Sequence, residues 1–253
     1  MDQTPVDQTS VDRWGNRLLD ALPEETSLLL KPHISRVLMR QGQMCVAVGQ
    51  PVDHVYFPET GLIALAICTT TGQLVYTSVI GRHGAVGLQR AFGERRSLTR
   101  GFVLVTGWFY KVPAKELGVA FAMSEEARAL VSRYIETRLV EANQYIACSV
   151  LHNGAARLAR WLLLISDRIG SDRLPLTQNS IGKLIGIART NVPALARQLK
   201  DGRTIRYTRG SITIINRKAL KAAACECYDV VQRLYEGLST PSVHRHDIRQ
   251  SSE

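Results

Sequence analysis

The sequence has no Cys-x-x-Cys pair, no long apolar run and none of the common catalytic signatures. Its five cysteines, Cys45, Cys68, Cys148, Cys225 and Cys227, are odd in number. They predict reduced thiols and not a disulfide framework. No run of 18 apolar residues occurs, so no membrane-spanning helix is expected. The opening MDQTPVDQTSVDRW is polar and partly acidic, unlike a secretory signal or a transit peptide. These features together predict a cytoplasmic protein. GxSxG, HExxH and the P-loop are absent. His33, His54 and His83 of the β-rich part stand apart and form no His-x-His pair among themselves, so a metal oxygenase site of the cupin kind lacks its ligands there. An enzyme is not expected.

What the chain does have is a localised basic charge. The formal net charge is +10 over 253 residues. Residues 151–220 hold thirteen Lys/Arg against three Asp/Glu, while the rest of the chain holds nineteen of each sign. The whole excess therefore falls on one segment, as phosphate binding requires.

That segment contains Thr177 to Arg197, TQNSIGKLIGIARTNVPALAR. Ile181, Leu184 and Ile185 recur at i, i+3, i+4, and Thr177 ahead of them is a good N-cap. Gly186 follows the last apolar residue, where a helix end tolerates positive φ. Gly182 leaves room for a crossing element. A second series, Val192, Leu195, Ala196 and Leu199, has the same period. Two short helices joined by a glycine-containing turn predict a helix-turn-helix, the second helix lying in the DNA major groove. Ile205 to Ile215 then reads as strand, turn, strand, a wing with Arg209 and Ser211 at its tip.

Upstream, the chain divides into segments. Residues 1–12 and 239–253 are polar and aperiodic and are expected to be disordered. A short helix is predicted over Arg13 to Ala21, and another near Pro23. Seven short β-rich runs follow: Arg36–Met39, Cys45–Val48, His54–Phe57, Leu62–Cys68, Leu74–Ile80, Gly101–Val105 and Trp108–Val112. Their spacing predicts a sandwich or jelly roll within a unit spanning 13–123. A long helix is expected over 124–153. Val131, Ile135, Leu139, Ala142, Ile146 and Val150 form one apolar stripe on it, which a second copy of the chain would cover. Residues 154–238 carry a helix from about Ala155 to Ile169, then the basic motif, then a final helix from Arg217 to about Leu238.

This order of elements in an α+β chain resembles the Crp/Fnr family of bacterial transcription regulators over about residues 15–236. The motif LTQNSIGKLIGIARTNV and the wing IRYTRGSITI carry the likeness most specifically. The resemblance implies a cyclic-nucleotide-binding-like jelly roll, a long dimerisation helix and a C-terminal winged helix-turn-helix. It implies a homodimer on a double-stranded, pseudo-palindromic operator, with RNA polymerase as a further partner of such a regulator. Carried over by position, Arg189, Thr190 and Ala194 face bases, while Thr177, Gln178 and Asn191 contact the backbone. Arg189 in the first turn can pair with guanine O6 and N7. Arg197, Arg206, Arg209 and Ser211 suit phosphates. Two positions depart from the family: Ala188 replaces a Ser-type N-cap, and Pro193 would be the fifth residue of a helix begun at Arg189. A kink or a delayed start there would change which side chains reach the bases.

The family's nucleotide cassette also has a partial counterpart. Arg96-Ser97 supplies an anion-binding pair, but Ala85 stands where a ribose-binding carboxylate is expected. A solvated surface loop is the alternative reading, and no cofactor is assigned. The N-terminal cysteine cluster of oxygen-sensing members is missing. Cys148 and His152 lie at i, i+4 with no third ligand visible. Cys225 and Cys227 at i, i+2 on one helix would point to different faces. No metal site is expected from either pair. A ligand-independent architectural DNA binder is the competing function.

Overall fold

The computed structural model describes residues 3–4, 14–93, 96–208 and 210–238. In chain order the elements are β1 (Gln3–Thr4), α1 (Arg17–Asp20), α2 (Glu24–Leu30), β2 (Ser35–Met39), β3 (Met44–Val46), β4 (His54–Pro58), β5 (Leu62–Cys68), β6 (Leu74–Ile80), β7 (Arg100–Val105) and β8 (Gly107–Pro113). Then come α3 (Ala114–Met123), α4 (Glu125–Leu151), α5 (Gly154–Ile169), β9 (Arg173–Leu174), α6 (Gln178–Ile185), α7 (Val192–Asp201), β10 (Ile205–Thr208), β11 (Ser211–Ile214), α8 (Arg217–Ala223) and α9 (Cys227–Glu236). Within the polar N-terminal tail, Gln3 and Thr4 pair with Val37 and Arg36. The remainder of that tail and residues 239–253 lie outside the described residues.

Strands β1 to β8 form two antiparallel four-stranded sheets, β1-β2-β8-β4 and β3-β7-β5-β6. Met39 and Phe109 from one sheet meet Val46, Ile63, Ile80 and Val103 from the other in the space between them. Successive strand residues point to opposite faces. Leu62, Ala64 and Leu104 therefore join a second, larger core on the outer face. Burial on both faces explains the nearly unbroken apolar run of β5.

The helical part diverges from the sequence reading in three places. The first helix is shorter than Arg13–Ala21: Asn16 caps α1 by accepting the Leu19 N–H at 3.0 Å. Its Nδ2 donates to the carbonyls of Pro58 and Gly84. Helix α3 was not predicted; Arg128 Nη1 closes its end by donating to the carbonyls of Phe121 and Ala122. The final helix is two helices, α8 and α9, with an extended residue at Ala224 between them.

Helix α4 has two distinct faces. One buries Ala127, Leu130, Val131, Tyr134, Thr137, Glu141 and Cys148 against its own chain. Val131, expected in the exposed stripe, belongs to this inner face. Ile135, Leu139, Ala142, Ile146 and Val150 stay exposed, with Leu139, Ile146 and Val150 at 63%, 65% and 78% exposure. The inner face is rich in polar groups, so an apolar count along α4 finds only the outer one.

At the centre of that inner face Glu141 is fully buried. Arg138 and Arg168 donate to its carboxylate, as does Tyr145; Tyr235 donates at 2.6 Å. Arg138 Nη2 also donates to Ser78 Oγ at 2.7 Å, and Arg168 Nη1 donates to the Val79 carbonyl. The cluster thus joins β6, α4, α5 and α9. Burial pushes the Glu141 carboxyl up, but Arg168 and Arg138 overcome it and hold it at about 2 against an ordinary 4.5. A lowered carboxyl stabilises the fold fully above the unfolded value. Its contribution is expected to fall as the pH drops from about 4.5 toward 2. Glu141→Gln leaves two buried arginines uncompensated and is expected to cost about 3–5 kcal/mol at neutral pH. Urea melts of both forms across acidic pH check this: the variant should lose the acid dependence that the wild type shows in that window.

Candidate nucleic-acid interface

The interface is built on α5, which is buried on nearly all sides from Leu158 to Ile169. It starts at the Asn153 cap, whose Oδ1 accepts the Ala156 N–H at 3.0 Å, and ends at Gly170 in the left-handed region. Arg157 on α5 donates to the carbonyl of Ile185, so the C-terminus of α6 is held directly by this helix.

Helix α6 starts as its sequence predicts. The Thr177 hydroxyl accepts the Ser180 N–H at 3.1 Å. Gly186 ends the helix at φ +67°, and the Gly182 carbonyl accepts the N–H groups of both Gly186 and Ile187. Gly182 is needed for the turn and not for a crossing helix. A Cβ there would lie 2.9 Å from the Ile187 carbonyl oxygen and 3.5 Å from the Arg189 Cα.

The second helix starts late. Ala188 is extended and caps nothing with its side chain; Arg189–Asn191 form one 3-10 turn, and α7 begins at Val192. Pro193 then sits in the first turn, where a missing N–H costs nothing. Arg189 and Thr190 consequently precede the α-helix proper, while Ala194 and Arg197 lie on it. Val192, Ala196 and Leu199 face the core. Arg189, Thr190, Asn191, Ala194, Arg197 and Arg206 are all exposed.

Wing strands β10 and β11 pair antiparallel from Ile205↔Ile214 to Thr208↔Ser211, and β9 extends the sheet through Leu174↔Ile212. Between the wing and the motif lies a groove of about 700 Å³ lined by Thr177, Gln178, Asn179, Arg189, Tyr207, Thr208 and Gly210. Thr177, Gln178 and Arg189 are thus brought to one place. Asn179 and Tyr207 are additions that the sequence reading missed; as polar residues beside assigned contacts they carry no separate signal. Ser211 is half-buried at the strand start. Arg209 lies outside the described residues. Lys183 of α6 sits over the Tyr76 ring of β6 at 5.7 Å, which puts the first helix of the motif against the β-roll.

Arg96 and Ser97 do not converge. Arg96 Nη1 donates to the Gly49 carbonyl at 2.8 Å. Ser97 is fully buried, with its hydroxyl donating to the Thr99 carbonyl at 2.8 Å. The nearby cavity, about 230 Å³, lies between the β-roll and α4 and is lined mainly by apolar groups, with Tyr134, Ile135 and Arg138 at its α4 side. Neither Arg96 nor Ser97 is among its described lining. Tyr134 reaches the cassette-like turn: its hydroxyl is 3.2 Å from the Ala85 nitrogen and 3.3 Å from the Ala85 oxygen. The backbone groups there are already bonded to this phenol.

The cysteines also depart from the expectation. Cys225 and Cys227 flank the start of α9 and meet Cys148 and His152 at the end of α4, so the two pairs form one cluster. The helix break, invisible to a periodicity count, removes the different-faces geometry.

The family model for a Crp-like helix-turn-helix domain matches residues 156–223. The chain is 23% identical to the global nitrogen regulator of Synechocystis over 181 residues, 68% of this chain and 80% of that protein. FixK2 from Bradyrhizobium japonicum has the same fold at a TM-score of 0.65 and 16% identity, covering 76% of this chain and 98% of the other. A Crp/Fnr-family structure from Eubacterium rectale aligns at a TM-score of 0.61 and 16% identity over 85% of this chain and 97% of its own. Among the described residues, no helix is long and apolar enough to cross a membrane.

Removing the Thr177 cap should loosen α6 without touching the core. Thr177→Ala is expected to cost about 1 kcal/mol in a urea melt, with Thr177→Ser close to the wild type.

Proposed function

We propose that this chain, a transcription regulator of the Crp/Fnr type, binds a pseudo-palindromic DNA operator as a cytoplasmic homodimer. The observation that carries the reading is the groove between the motif and the wing. Exposed Arg189, with Gln178 and Thr177, lines it, and the flanking surface carries Arg197 and Arg206. Arg189 and Thr190 lie in the turn that leads into α7, at the end that enters the major groove first; Ala194 follows one turn on. Arg189 reads a base edge, and Arg197 and Arg206 hold phosphates. Arg209, which falls between β10 and β11 in the sequence, is assigned a phosphate as well.

The second copy covers the outer face of α4. Four large apolar side chains there, Ile135, Leu139, Ile146 and Val150, are each about half to three-quarters exposed in a single chain. Such a stripe on a 27-residue helix needs a partner. A two-fold axis along it sets two reading heads about one DNA turn apart, roughly 34 Å.

Effector control through a cyclic nucleotide is disfavoured. Ala85 supplies no carboxylate for a ribose, Tyr134 occupies its backbone groups, and Arg96 and Ser97 are bonded elsewhere. The small apolar cavity beside Tyr134 and Arg138 fits a compact, mostly apolar effector better than a nucleotide.

Selection of bound sequences from random duplexes tests the reading. A palindromic consensus is expected, unchanged by cyclic AMP or cyclic di-GMP. No consensus under any condition would instead favour an architectural binder. Arg189→Ala should relax one base pair per half-site by about 5- to 150-fold, the equivalent of about 1–3 kcal/mol. Arg206→Ala should weaken all duplexes alike and lower the salt slope by about one per chain. Leu139→Arg is expected to run as a monomer in sedimentation velocity and to lose operator binding while keeping its melting temperature.

A further inference from the structure

The cluster at the end of α4 has the composition and the geometry of a metal centre. Cys148 Sγ and Cys225 Sγ are 3.5 Å apart. Cys227 Sγ lies 3.6 Å from His152 Nδ1. All four donor atoms fall within 4.8 Å of one another. A tetrahedral ion with metal–sulfur bonds of about 2.3 Å and a metal–nitrogen bond of about 2.0–2.1 Å has donor–donor edges of roughly 3.5–3.8 Å. We propose that Cys148, His152, Cys225 and Cys227 bind one zinc-class divalent ion that ties the end of α4 to the junction of α8 and α9.

The surroundings fit such a centre. His152 presents Nδ1 to the cluster, while its Nε2 lies 3.1 Å from Glu226 Oε1. A carboxylate on the far nitrogen fixes the tautomer that leaves Nδ1 free to ligate. Gln144 Nε2 donates to Cys227 Sγ at 3.0 Å, an outer hydrogen bond of the kind that orients a thiolate. Three thiolates and a neutral imidazole around a divalent ion leave one negative charge. Arg160 answers it: the residue is 2% exposed, its guanidinium stacks on Tyr145 and Trp161, and among the described residues neither Nε nor Nη1 has a hydrogen-bond partner. It lies within electrostatic reach of both Cys148 and Cys225.

Simple packing is a poor account of the cluster. The three cysteines form their own small cluster with Ala156, apart from the main core, and bury little apolar surface. A metal bond there supplies what that core lacks. An iron–sulfur cluster is also a poor fit, because a polynuclear core must hold its thiolate ligands farther apart than one ion does. Two ligands, Cys148 and His152, come from the end of α4 at the extended step that separates it from α5, and the other two come from the junction of α8 and α9. A bound ion there sets the angle between the long helix and the DNA-binding unit.

The test uses the full chain, purified under reducing conditions, and reads metal and stability, so it is independent of any DNA result. One zinc per chain is expected by elemental mass spectrometry. Cobalt(II) added to the chelator-stripped chain should give thiolate charge-transfer absorbance and the intense visible bands of a tetrahedral site, both abolished by zinc. Cys225→Ser and His152→Ala should each weaken metal binding at least tenfold, and Cys68→Ser, an exposed thiol outside the cluster, should not. Chelation should lower the melting temperature of the wild type and leave that of Cys225→Ser unmoved. Absence of bound zinc or cobalt with all thiols reduced would overturn the proposal. So would sulfide-containing iron in anaerobically purified chain, or a Cys148–Cys225 disulfide as its main state.

Discussion

A single carboxylate holds the parts of this molecule together. Glu141 is buried without access to water and is stable there only because two arginines and two phenols surround it. Three of those partners come with a tether. Arg138 also reaches Ser78 at the end of the β-roll, Arg168 reaches the Val79 carbonyl, and Tyr235 brings α9. Removing charge from the centre would strand one cation on the long helix and one on α5, each tied at its other end to the β-roll. The mutual position of those three units therefore depends on one ionised group. Its carboxyl is kept far below neutrality by those same arginines.

The helix-turn-helix depends on a different constraint, the backbone of one turn. Gly182 and Gly186 let the chain after α6 fold back over it, and the Gly182 carbonyl takes two N–H groups as a result. Ala188 offers no side-chain cap and Pro193 no N–H, so an α-helix beginning at Arg189 would be poorly started. The chain resolves both problems together. A 3-10 turn occupies Arg189–Asn191, and the proline falls in the first turn of α7, where its ring is tolerated. The consequence is chemical: Arg189 and Thr190 project from a turn ahead of the helix instead of from its side.

How far the sequence could be read follows from the same physics. Strands β4 to β6 match their predicted runs almost residue for residue, because short β-rich runs and glycine or proline separators are local signals. Thr177, Gly186 and the wing were legible for the same reason. Helix α3 was not, since Gly118 and a mixed apolar pattern blur its period. The inner face of α4 was hidden because Thr137, Glu141 and Cys148 are not what an apolar count seeks. Cys225 and Cys227 were misread through the helix break beside them. Their partners, Cys148 and His152, lie more than seventy residues away in sequence, and only the packing of α9 on α4 brings the four together.

These constraints meet where α4 passes into α5. Helix α4 is gripped through Glu141 by the β-roll on one side, and its last turn supplies Cys148 and His152 to the thiol cluster on the other. Between these points the chain makes only the short extended step at His152 and Asn153. From there α5 carries Arg168 back to the β-roll and Arg157 forward to the end of α6. A change at Tyr134 or Arg138, the α4 groups beside the apolar cavity, thus has a continuous packed route to the turn that presents Arg189. A route of contacts alone does not make coupling; a two-state element must lie along it. The His152 N–H closes the last turn of α4 on the Cys148 carbonyl at 3.2 Å, and the extended step that follows is the joint at which the proposed ion would fix the direction of α5.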